Sequence, residues 1–139
     1  LDVIKVIENE INEIKPEIIY THHFGDLNID HRITNQAVFT ACRPEPGSIV
    51  KKLYCFEVAS STEWQAPMKE TSFIPNTFVD ISNEIKAKIQ AIKKYKNELE
   101  AFPHPRSINA ISSISKKWGS VSGFNNAEAF YLIRELKDK

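Results

Sequence analysis

Apolar residues recur at helical spacing from the start of the chain. Ile4, Ile7, Ile11 and Ile14 fall on one stripe with Glu8, Glu10 and Glu13 off it, so residues 1–15 are predicted as an amphipathic helix. Pro16 cannot continue it. From Glu17 to Thr21 the residues turn β-branched and aromatic, which predicts a strand. The polar stretch His22 to Asn28 reads as a loop at that strand's C-terminal end. A helix beginning near Asp30 turns Ile33, Ala37, Val38 and Ala41 inward and stops before Pro44.

The run Leu53 to Val58 predicts a second strand. Ser60 to Asn76 is a polar and aromatic connection, longer than most loops and so a candidate for function. Thr77 to Ile81 reads as a third strand. Ser82 is placed to cap a helix carrying Ile85, Ile89, Ile92 and Leu99 inward. Two prolines make residues 101–107 irregular. Ser107 then caps a helix through Ile108, Ile111 and Ile114, which Gly119 is expected to stop. After Gly123, Asn126 is read as the cap of a last helix through Phe130, Ile133 and Leu136.

This order predicts an α/β fold, a Rossmann-like layered sheet with flanking helices. The chain opens on a helix, so the sheet's first strand is expected to be absent and residues 1–139 are read as a single partial domain. Ligands in such folds sit where loops leave the C-terminal ends of strands. The loop after Thr21 is at such a place.

Composition narrows the choices. Lys plus Arg equals Asp plus Glu at 18 each, so the basic excess of a nucleic-acid binder is missing. No apolar run is long enough to span a bilayer. Cys42 and Cys55 form no C-x-x-C pair; a single disulfide stays open, and two buried thiols in a reducing cytoplasm are the expectation.

Chemistry concentrates in Thr21-His-His-Phe-Gly-Asp-Leu-Asn-Ile-Asp-His-Arg32, which holds three of the chain's four histidines and two aspartates. Imidazole and carboxylate are zinc ligands, and a carboxylate beside a ligating imidazole tunes it. Plainer readings stay open. Asp30 can be the N-cap of the next helix, and His22 and His23 can be strand-end residues with satisfied rings. A calcium loop over Asp26 to Asp30 fails, because its glycine position is His31 and its closing glutamate position is Ala37.

The run resembles the second metal motif of the PIG-L (LmbE-like) family, which has the form His-x-Asp-His. Asn28, Ile29, Asp30 and His31 occupy its positions. The resemblance extends through Ala41-Cys-Arg-Pro44, Ser60 to Trp64, Phe73 to Asn76 with Phe78 to Ser82, Pro105-Arg-Ser107, and Gly119 to Phe130. It implies a zinc-dependent N-deacetylase acting on an N-acetylated sugar or sugar conjugate, with zinc or another divalent metal as cofactor. By the same resemblance His31 is the metal ligand and Asp30 its acidic partner. Asn28 replaces a family histidine, so oxyanion donation passes to its amide and the acid role to His23 or His104. The family's His-Pro-Asp-Asp segment, source of the other ligands and the base, does not occur here.

Arg43, Trp64, Arg106 and His23 are the substrate-binding candidates: guanidinium for phosphate or sugar oxygens, indole for stacking on a sugar ring. Against them stand a helix end for Arg43, a rigid turn for His104 and Arg106, and loop anchoring for Trp64. A cytoplasmic protein without a membrane span follows, with homo-oligomerisation left open. The other function classes are an inactive or degenerate fragment and a sugar- or nucleotide-binding module.

Overall fold

The computed structural model describes residues 2–137. In chain order its elements are α1 (Asp2–Ile14), β1 (Ile18–His22), α2 (Ile29–Ala41), β2 (Lys52–Phe56), β3 (Thr77–Asp80), α3 (Ile85–Ile92), α4 (Ile108–Ser122) and β4 (Ala127–Glu135). The fold is α/β, a four-stranded sheet flanked by helices, with strand order β1-β2-β4-β3. Two compact units divide it, one over residues 1–75 and 130–139 and the other over residues 76–129.

In the first unit β1 and β2 pair in parallel, Ile19 opposite Leu53 and Thr21 opposite Cys55. Parallel strands need a crossover, and α2 supplies it. This βαβ step is the Rossmann-like part of the fold. Val38 and Cys42 of α2 pack with Val50 and Leu53, and Ile7, Ile11, Ile19, Phe39 and Ile133 close around them. The helix α1 lies on α2 with its predicted stripe, but Ile14 at its end is 67% exposed. Ile33, expected inward on α2, is also exposed, while Ala37 and Val38 a turn later are buried as expected. Both cysteines are free and buried, and burial pushes the Cys55 thiol up to about 12 although Asn35 donates to its sulfur.

The last element is a strand, not the predicted helix. Ala127-Glu-Ala-Phe-Tyr-Leu-Ile-Arg-Glu135 is rich in helix formers, but Phe130 to Glu135 pair antiparallel with β2. Sheet pairing outweighs a weak local preference. Asn126 is therefore no helix cap; its backbone N–H donates to Ser82 Oγ at 3.2 Å.

In the second unit Ser82 caps nothing, because its hydroxyl and N–H both turn back to Asp80 Oδ1. The helix α3 begins three residues later and ends at Ile92, so Leu99 falls outside it. Ser107 does cap α4, accepting from Ala110 N–H at 3.1 Å. Gly119 does not stop that helix. The stop is Gly123, at φ +82° in the left-handed region that favours glycine. Gly119 serves close approach instead. A Cβ there would stand 2.6 Å from the Phe124 carbonyl oxygen and 2.9 Å from the Asn125 carbonyl carbon.

Gly119→Ala is accordingly expected to destabilise the protein by about 1–3 kcal/mol through overpacking, although alanine is the better helix former. A lowered urea midpoint is the measurement. An unchanged or raised midpoint would show that the Phe124–Asn125 turn yields.

Candidate functional site

Because β1 and β2 are parallel neighbours, the loops leaving their C-terminal ends lie side by side. The first carries His23 to Asn28, following His22 at the end of β1; the second carries Ser60 to Thr62. Their contact is made by Asp26, whose side chain is 0% exposed. Its Oδ1 accepts the Asn28 backbone N–H at 2.9 Å and the Ser61 hydroxyl, and its Oδ2 accepts the Thr62 hydroxyl at 2.9 Å. The Asp26 and Leu27 carbonyls each accept from Arg32 Nη1 at 2.8 Å. Burial raises the Asp26 pKa, but the Ser61, Asn28 and Thr62 hydrogen bonds, with His31, outweigh it and hold the carboxyl below the usual aspartate range.

His31 Nδ1 stands 3.2 Å from Asp26 Oδ1, at ion-pair distance but without hydrogen-bond alignment. The His31 side chain keeps 21% of its surface open. Its ring stacks on that of His22, centroids 4.1 Å apart and planes 17° from parallel. Burial, and then the His31 charge, lower the His22 pKa, with Asp26 opposing. His22 is seated from below by Asn35, whose side-chain amide donates to its carbonyl at 2.7 Å.

Three expectations change here. Asn28, not Asp30, is the N-cap of α2: its side chain accepts from Asp30 N–H at 2.9 Å. Asp30 is exposed in the first helical turn, and the carboxylate beside His31 is Asp26. His23 is not a substrate contact, because it is 0% exposed and its Nε2 donates to the Thr71 carbonyl at 2.9 Å. Burial lowers its pKa, which the Thr71 carbonyl and Asp26 only partly offset. Beside it, a Cβ on Gly25 would meet the Thr71 carbonyl oxygen at 2.3 Å, so the backbones touch there.

The remaining candidates scatter. Arg43 follows the C-terminal end of α2, a 13-residue helix that spans about 20 Å from the His31 end. There it pairs with Glu45 at 3.5 Å, which takes it out of any site built on His31. Trp64 lies in the same connection as Ser61 and Thr62 and is 53% exposed. His104 and Arg106 belong to the second unit. There His104 Nδ1 accepts the Arg106 backbone N–H at 3.1 Å, and the Arg106 guanidinium pairs with Glu98 and Glu100. The rigid-turn reading describes both.

Sequence reasoning placed Asp26 and His22 in the polar run without giving either a site role, and it gave Ser61 and Thr62 none. The one available signal was the parallel pairing, which puts the two polar loops at the same end of the sheet. As to metal, no three ligating side chains gather at one point among the described residues. His31 with a carboxylate behind it fits one ligand position of a zinc ion and not a complete zinc site.

No family model matches the chain, and no curated protein matches it in sequence. Solved structures do. The conserved protein TT1542 from Thermus thermophilus superimposes with a TM-score of 0.74 at 17% identity, over 99% of this chain and 61% of that one. GalB, the 4-carboxy-2-hydroxymuconate hydratase from Pseudomonas putida KT2440, gives 0.70 at 18% identity, over 99% and 60%. The chain thus spans about three fifths of the length of either structure. At these identities the likeness establishes the fold alone.

The pKa directions set an acid dependence. His22 and His23 titrate lower when folded, so the stability they confer is complete above the free histidine pKa of 6.5 and declines as pH falls from there toward their folded values. Asp26, also lowered, adds a second decline in the range where free aspartate protonates. Urea midpoints across this range are expected to show both, with His23→Gln flattening the upper decline and Asp26→Asn the lower.

Proposed function

We propose that the loop between β1 and α2 is one wall of a zinc-dependent site that activates water, and that the reaction is hydrolysis of an N-acetyl amide on a sugar or sugar conjugate. The observation that carries the reading is His31, an imidazole at the C-terminal mouth of a parallel strand pair, backed by a buried ionised carboxylate. Metal-binding histidines commonly have such a partner on their other nitrogen. The resemblance of residues 28–31 to the PIG-L motif supports the choice of zinc and of an acetyl amide. Zinc, or another divalent cation, would supply Lewis-acid polarisation of the carbonyl and a more acidic water when bound. The chain contributes His31 as one ligand among several, and the stacked His22 keeps the ring's plane.

The Asn28 amide still has its N–H donors for a developing oxyanion, since the cap uses its oxygen. Trp64 offers an exposed indole in the connection after β2, suited to stacking on a sugar. Free thiols at Cys42 and Cys55 accord with a reducing cytoplasm. No helix among the described residues is long and apolar enough to cross a membrane.

The Pseudomonas neighbour is named as a hydratase. Hydration and amide hydrolysis share a first requirement, a water directed at an electrophilic carbon. Both assays therefore belong in the test, run on the protein at the length its gene specifies. His31→Ala is expected to remove stoichiometric zinc and to lower deacetylation by more than the roughly 10–100-fold that loss of an outer partner costs. Zinc content and activity that survive the substitution would sink the reading. Turnover confined to the hydration assay would keep the metal and overturn the amide.

A further inference from the structure

We infer that Asp26 is a positioning residue, one that fixes His31 as the Nδ1–H tautomer and so leaves Nε2 as the ring's lone-pair nitrogen. The protons around the carboxylate can be counted. Thr62 Oγ1 accepts the Val58 backbone N–H at 2.7 Å, and Ser61 Oγ accepts that of Asn28 at 3.2 Å. Each hydroxyl has one proton, and each gives it to Asp26. With the Asn28 N–H the carboxyl group faces three donors, a surrounding that favours its acceptor-only, ionised form. Its Oδ1 then stands 3.2 Å from His31 Nδ1 as a pure acceptor. A lone pair on Nδ1 would face that oxygen's lone pairs; a proton there is attracted.

The Ser61–Thr62 pair therefore belongs to the device. It lies in the loop after β2, holds the carboxylate in place, and links that loop to the chemistry of the one after β1. The tautomer stands on geometry alone. Its consequence for zinc rests on the proposed reading of His31 as a ligand.

The test uses ¹⁵N-histidine-labelled, metal-free protein, with ring nitrogen shifts read at about pH 8, where free histidine is neutral. Wild type is expected to show His31 with its proton on Nδ1; an Nε2–H ring there overturns the inference. Asp26→Asn, which places an amide of the same shape behind the ring, is expected to move the population toward Nε2–H. It should also weaken zinc binding about 10–100-fold by competition with a chelator. Should that variant fail to fold, Thr62→Val keeps the carboxylate and removes one of its anchors, and Thr62→Ser restores it. A partial shift in the first and recovery in the second are expected. Zinc affinity that depends on His31 but is indifferent to Asp26→Asn and Thr62→Val overturns the positioning role and leaves the ligand intact. The expected tautomer with zinc binding indifferent to His31→Ala does the reverse: it upholds the inference and ends the zinc reading.

Discussion

A single ionised carboxylate, buried and surrounded by donors, organises this end of the molecule. Burying an uncompensated charge is costly, so Asp26 is tolerable only because Ser61, Thr62 and the Asn28 backbone converge on it. That convergence in turn requires the two loops to be neighbours, which the parallel pairing of β1 with β2 guarantees. The sheet thus comes first in the causal order, the carboxylate second and the imidazole third. His31 is held in place by a chain of constraints that begins in the hydrophobic layer of Val38, Val50 and Leu53.

The same helix serves both layers. Ala37 and Val38 of α2 pack inward, while Asn28 at its cap and His31 in its first turn define the site. Asn35, buried between them, bonds the His22 carbonyl and touches Cys55. A polar residue inside an apolar layer is stable when its partners are supplied, and here both come from adjacent strands. The same residue thus ties the apolar layer to the strand end beside the site.

Much of this was legible in the chain and some was not. Isoleucines at helical spacing gave α1, and the β-branched run at Glu17 to Thr21 gave β1 within a residue. The clustering of histidines and aspartates after that strand correctly marked the polar loop. What periodicity could not give was the identity of the carboxylate. Asp30 adjoins His31 in sequence, whereas Asp26 adjoins it in space, because the cap at Asn28 starts a turn that carries Asp30 outward. Ser61 and Thr62 were unreadable for a similar reason: their importance lies in a contact 35 and 36 positions distant. At Ala127–Glu135 the spacing of Phe130, Ile133 and Leu136 after Asn126 suits a helix, and pairing with β2 makes a strand instead. His104 and Arg106 looked like a chemical pair because they are close in sequence, yet the guanidinium is taken up by glutamates before them.

The main-chain contact of Gly25 with Thr71 bears on how such a protein can diverge. Where two segments are seamed by peptide atoms, the seam is indifferent to which side chains flank it, provided the glycine stays. Met68, Lys69 and Glu70, all exposed, lie just before that seam. Natural variation there can redraw the local surface, from basic to acidic or from polar to greasy, while the join with the histidine-bearing loop survives unaltered.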